Sequence, residues 1–186
     1  YSTPFLYPKA MPELPEVHTT VTGLQKVLPT LAITNIWSDM WSDAKICKNT
    51  IKDRSYFSYF KKYTLGHTVL GVRRRAKHIL VDLDNGFTMI IHMKMTGHLM
   101  YGKYKENKKY NGREWAWVPV ADEGEQKQTS KTNTSPFLDP YNRHIHVVFS
   151  LSNGKHLVFC DSRKFGTMVV EKTSTLHLER LAHLGP

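Results

Sequence analysis

"HILVDLDNGFTMIIHM", residues 78–93, decides the fold class. Two short runs rich in branched apolar residues flank Asn85-Gly86. An Asn-Gly pair between such runs is a strong hairpin marker. The logic recurs downstream, where His144 to Leu151 and Lys155 to Cys160 flank Ser152-Asn153-Gly154, and Gly166 to Glu171 supplies another strand. Upstream, Leu31 to Trp37 and Thr68 to Arg73 read as short strands. Many short antiparallel strands with two end helices predict a mainly β chain. The expected architecture is an antiparallel β-sandwich with an N-terminal helix and a short C-terminal helix.

The N-terminal helix is expected from about Glu16 to Leu28. Proline at its first position and acid in its first turn favour initiation, and Val17, Val21, Leu24 and Leu28 recur at helical spacing. Ser55 to Leu65 reads as a second, aromatic-rich helix ending near Gly66. Leu176 to Gly185 forms a short helical pattern closed by Gly-Pro, as at a domain boundary. Between the two hairpin blocks, Gly102 to Asp139 is rich in Lys, Asn, Thr, Ser, Glu and Gln. Such a segment buries little and is expected to be a long, mobile insertion that Trp115, Trp117 and Val118 could pin in part.

One domain fits the 186-residue length. Lys and Arg total 26 against 16 Asp and Glu, a net +10, which calls for an anionic partner without saying which polyanion. No apolar run is long enough to span a bilayer, and YSTPFLYPKA lacks the layout of a secretory signal. Cys47 and Cys160 stand far apart without CxxC spacing, which fits a reducing cytosol and argues against zinc held by this segment.

Chemistry concentrates first in MPELPEVHTT, residues 11–20. Proline at a free N-terminus is a secondary amine with a pKa near ~8, so an appreciable fraction is neutral at physiological pH. Its attack on a sugar C1′ would give an iminium, an electron sink that acidifies neighbouring sugar protons and permits loss of phosphate. Glu13 could exchange a proton at the sugar ring oxygen. The plainer reading is that Pro12 to Glu16 caps a helix, and on these residues alone it is the commoner outcome.

MPELPEV, VRRRAKHILVDL, IIHMKMTGHL, DSRKFG and LAHLGP, in that order, closely resemble formamidopyrimidine-DNA glycosylase. Together these motifs span most of residues 11–186 outside the insertion. The resemblance implies excision of oxidised purines (formamidopyrimidine, 8-oxoguanine) from double-stranded DNA, then β,δ-elimination at the abasic site. It implies Pro12 as Schiff-base nucleophile, Glu13 as acid/base, and Lys77 at a phosphate beside the lesion, the last also counted with the catalytic set. Arg73, Arg74 and Arg75 extend that basic run, serving equally as phosphate contacts or as a solvated edge that discourages aggregation. Met95, Arg163 and Phe165 match residues that fill the gap left by an everted base. Met and Phe near strand ends more often belong to a core, whereas Arg163 does not suit one. Lys164 stands where a second arginine is usual, keeping charge but losing the bidentate fork. Arg143 and His144 match a DNA-contacting segment. His146 reads as a packed strand residue, and His92 and His98 as structural.

Two departures accompany the resemblance. Pro12 is joined to Met11 by a peptide bond, so residues 1–10 read as an extension, native or not, ahead of a catalytic domain over 11–186. The family also continues past its HLGP linker into a helix–two-turn–helix domain and usually a zinc finger, so zinc is expected only there and no cofactor here. The expectation is the catalytic domain of a bifunctional glycosylase/lyase, inactive while Pro12 is blocked, monomeric, cytoplasmic and nucleoid-associated. The alternatives are a non-catalytic damaged-DNA-binding module of the same fold, an endonuclease VIII-like glycosylase, or an unrelated basic β-protein that binds RNA.

Overall fold

The computed structural model describes residues 14–108, 116–120, 140–176 and 181–182. Helix α1 spans Leu14–Val27 and buries Val17, Val21 and Leu24, the stripe expected from their spacing. Helix α2 spans Arg54–Thr64; Asp53 caps it by accepting from the Ser55 N–H, and Gly66 turns the chain away with φ of 81°. The strands are β1 (Ile33–Ser38), β2 (Val69–Arg75), β3 (His78–Leu83), β4 (Phe87–His92), β5 (Gly97–Gly102), β6 (Tyr104–Glu106), β7 (Trp117–Pro119), β8 (Ile145–Leu151), β9 (His156–Asp161) and β10 (Thr167–Lys172).

Two four-stranded antiparallel sheets, ordered β1-β8-β9-β5 and β10-β4-β3-β2, face each other. Val147, Phe149, Leu151, Leu157 and Phe159 of the first sheet share one apolar core with Ile79, Val81, Leu83, Met89, Ile91 and Val170 of the second. The sandwich and both hairpins therefore stand as the sequence predicts. The outer faces are covered too. Leu80, Ile90 and Val169 pack with Leu176 and Leu181, while Val148, Val158 and Cys160 pack with Tyr104, Ala116 and Trp117. Burial on both faces explains why HILVDL and FTMII read as nearly unbroken apolar runs.

Within the polar insertion, β6 and β7 pair, and Trp117 is buried with its ring 6.1 Å from that of Trp37. Part of that segment thus belongs to the folded body, because one buried indole supplies the apolar area that its neighbours lack. Trp115, most of the insertion and most of the C-terminal helical pattern lie outside the described residues.

Candidate nucleic-acid interface at one end of the sandwich

Strand register gathers the predicted residues. Arg75 pairs with His78, so the Ala76-Lys77 turn sits beside His92, itself paired with both His78 and Thr167. From there, residues 93–96 cross from β4 to β5 and residues 162–166 cross from β9 to β10, passing between sheets at the same end. Ile145 pairs with Cys160, which brings Arg143 and His144 to that end as well. Thr30 N–H donates to Val69 C=O and Gln25 Nε2 to Val72 C=O, so α1 runs from its C-terminus along β2 in the direction of Arg75. Pro12 and Glu13 lie outside the described residues.

Met95, Arg163 and Phe165 come together. The Arg163 guanidinium lies 4.5 Å from the Phe165 ring centre, and its Nη1 is 3.9 Å from Met95 Sδ. Both apolar side chains are about half exposed, 41% for Met95 and 46% for Phe165, so neither is core. A cation over a ring face preorganises the pair and presents a flat apolar edge with a hydrogen-bonding head.

Lys77 is exposed on its turn, with no hydrogen-bond partner among the described residues. The arginines before it serve the fold. Arg73 forms a two-pronged bond to Asp82 at 2.7 and 3.1 Å, Arg74 donates to Ala76 C=O, and Arg75 donates to Leu181 C=O. Arg143 is exposed, while the adjacent Asn142 is buried and accepts from the Tyr104 hydroxyl. Lys164 does not project freely: its Nζ donates to Asp39 C=O at 2.9 Å and lies 3.5 Å from the Asp39 carboxylate. A phosphate contact from Lys164 requires exchange of that partner. His146 occupies a β-bulge in β8 and contacts Asp39 at 2.7 Å, so it is tied by polar contact rather than simply packed. His98 lies against the Tyr141 ring, 3.7 Å between centres.

Three residues carry more than the sequence reading assigned. Burial first, then the positive surroundings of His78, Lys94 and Lys77, hold His92 down to about 4. It is therefore neutral near pH 7. Its Nδ1 accepts from the Lys94 N–H, which leaves the proton on Nε2, a single donor beside Lys77. Asp39 ties Lys164 to His146. Asp161, wholly buried, accepts from the Thr96 hydroxyl and from the Arg163 and Gly166 N–H groups. A signal for Asp161 was present: DSRKFG opens on Asp-Ser and closes on Gly, a turn-forming composition in which an Asp side chain can accept from a backbone N–H two residues on. Among the described residues, no group of three His, Cys, Asp or Glu could hold a metal ion. Nor is any helix among them long and apolar enough to cross a membrane.

Residues 11–168 match the model of the formamidopyrimidine-DNA glycosylase N-terminal domain. Proteins of that name from Pelotomaculum thermopropionicum and Desulforamulus reducens are 31% and 32% identical over 94% and 95% of this chain, and over 49% and 50% of their own. The chain thus spans about half the length of the curated relatives it matches. Among solved structures, the Lactococcus lactis Fpg in complex with DNA containing an abasic site superposes with a TM-score of 0.58 at 21% identity, covering 88% of this chain and 45% of that one. Its complex with DNA containing FAPY-dG gives the same score. These matches and the sandwich geometry agree that the chain belongs to the formamidopyrimidine-DNA glycosylase family and carries its N-terminal domain.

Proposed function

We propose that this chain is the catalytic part of a bifunctional DNA glycosylase and abasic-site lyase that acts on oxidised purines in double-stranded DNA. The observation that carries the reading is the contact of Met95, Arg163 and Phe165 in an exposed group at the end of the sandwich that also bears Lys77. A base inside a duplex is beyond the reach of an amine, so it must leave the stack, and the gap must be filled. Phe165 enters between base steps, Met95 packs the void, and Arg163 hydrogen-bonds the base left without a partner. Lys77 and Arg143, with the neutral His92 donor, hold flanking phosphates, and His144 and Lys164 add to that set.

Pro12, two residues before α1, supplies the nucleophile once its nitrogen is a free amine. Attack at C1′ forms the C–N bond as the damaged base departs, and Glu13 passes a proton to the ring oxygen as the bond between that oxygen and C1′ opens. The resulting iminium draws electrons from the sugar, so removal of an adjacent proton expels the 3′ phosphate. With Met11 attached, the Pro12 nitrogen is an amide and no such step occurs. The protein acts as a monomer, and the 8-oxoguanine and formamidopyrimidine specificity is that of the family.

Borohydride trapping on abasic DNA tests the reading. The chain as given should yield no adduct. Removal of residues 1–11 should create one, and fusion to the C-terminal half of the Desulforamulus relative should restore efficient cleavage. Equal trapping by both forms would exclude Pro12 and shift attention to a lysine such as Lys77. Absence of an adduct from the trimmed fusion would favour a non-catalytic DNA-binding module.

A further inference from the structure

We propose that Asp161 is a positioning residue that couples the Met95 loop and the Arg163–Phe165 loop into one rigid wedge. The inference rests on the reading of those three side chains as gap-filling groups. Gly97 pairs with Asp161, so this carboxylate stands at the root of both crossings, where residues 93–96 enter β5 and residues 162–166 leave β9. It is 0% exposed, and each oxygen faces inward to donors. One oxygen accepts from the Thr96 hydroxyl on the first loop and from the Arg163 N–H, at 3.2 Å, on the second. The other accepts from the Gly166 N–H at 2.7 Å, closing the second loop just beyond Phe165.

Only a carboxylate accepts at both oxygens. An asparagine would turn an NH2 toward one of the three donors, leaving two donors face to face in a buried site. The negative charge has company. Lys52, 6% exposed, lies near it, and burial depresses the Lys52 ammonium while Asp161 and Cys47 counter that shift and Lys94 adds to it. The segment that follows β1 is thus drawn electrostatically to the same anchor. Asp161 touches no part of the solvent and cannot meet DNA; it acts through the side chains that do.

The test uses the 186-residue chain and the variants Asp161→Asn, Thr96→Val and Phe165→Ala. Magnetic resonance reads two things: amide exchange at Arg163 and Gly166, and the upfield shift that the Phe165 ring imposes on the Arg163 side chain. In Asp161→Asn, exchange should rise about tenfold, the scale of one lost net hydrogen bond, at whichever of the two amides meets the NH2, and the upfield shift should vanish. Thr96→Val is nearly isosteric, so it reports even if Asp161→Asn fails to fold. It should break the Met95–Arg163 proximity while both amides stay protected. Retention of the ring shift in folded Asp161→Asn, or of the Met95–Arg163 proximity in Thr96→Val, would overturn the coupling. A second arm uses duplex DNA with a tetrahydrofuran abasic analogue beside 2-aminopurine. Loss of the fluorescence change in both Phe165→Ala and Asp161→Asn supports the whole inference. Loss in Phe165→Ala alone overturns the positioning role. No loss in Phe165→Ala overturns the wedge reading itself, while the exchange data still decide the coupling.

Discussion

The two ends of the sandwich are built from the same strands in different ways. At one end, β3 turns into β4 and β8 into β9 within a single sheet, and Gly86 and Gly154 take the left-handed conformation at φ of 77°. Gly66 does the same nearby, and among the described residues Thr30 is the one non-glycine there with positive φ. At the other end, the chain crosses between sheets and also reverses at the Ala76-Lys77 turn. Among the described residues, those held at positive φ there are Ala76, Lys94 and Lys164, at 46°, 56° and 53°, and Asn49, at 56°, close to the Ile51 N–H that donates to Met168 C=O. A side chain in that region costs on the order of 1–2 kcal/mol, which glycine avoids. The hairpin end takes the unstrained solution. The crossing end accepts strain at two lysines in loops that carry the gap-filling group. The contrast separates turns that merely reverse the chain from turns that aim side chains.

Substitution at a glycine from each end should sharpen that contrast. Gly166 is spared strain of φ but not of space: a Cβ there would overlap the tip of the Phe159 ring and stand 2.8 Å from its Cε1. Gly166→Ala should lower stability by about 3 kcal/mol, the scale of overpacking. Gly86→Ala meets open space and only a positive φ, so about 1 kcal/mol is expected. Thermal denaturation of both variants checks the difference; equal losses would break the comparison.

Acid should weaken the crossing end through His92. Its folded value of about 4 lies below the usual 6.5, so between those values the unfolded chain binds the extra proton. Stability therefore rises with pH across that window and falls as pH drops through it. The full shift corresponds to roughly 3 kcal/mol, and solvent screening of this part-exposed ring reduces it to on the order of 1–2. Denaturant midpoints from pH 7 to 4 should show the decline, and His92→Gln should flatten it. The smallest effect is expected for Ala76→Gly. Relief of the left-handed strain offsets the added freedom of the unfolded chain, so stability should change by less than about 0.5 kcal/mol. An ordinary loss near 1 kcal/mol would mean that the turn holds no strain.

Local signals carried most of the fold. The Asn85-Gly86 turn, the Val17–Val21–Leu24 stripe and the capped start of α2 each encode their structure within a few residues. Strand β5 was harder: GHLMYG has glycine at both ends and no clean alternation, and its partner β9 lies about sixty residues away. Trp117 was legible as an anchor, but the pairing of β6 with β7 was not, because the polar residues around them dominate any window. At the site, motif residues could be named from sequence, whereas their partners could not. Lys164 meets Asp39 across 125 positions, and Thr96 meets Asp161 across 65. Neither contact leaves a periodic trace. The commitment of Arg73 to Asp82 was likewise hidden inside what read as one basic run.

The ring of Phe159 stands between Gly97 and Gly166, but the two glycines answer to different neighbours. A Cβ on Gly97 would also strike the Met93 backbone, whose Cα lies 2.9 Å away, whereas a Cβ on Gly166 would meet chiefly the ring. For descent with modification, Phe159 and Gly166 form a single heritable character, while Gly97 is fixed by backbone alone. A β-carbon at Gly166 is ruinous while the phenyl ring is there, and loss of the ring leaves a hole while the glycine remains. The route to another solution passes through a less fit intermediate, so lineages should change both together or neither. Sequences that carry leucine in place of Phe159 are where alanine in place of Gly166 should first be found.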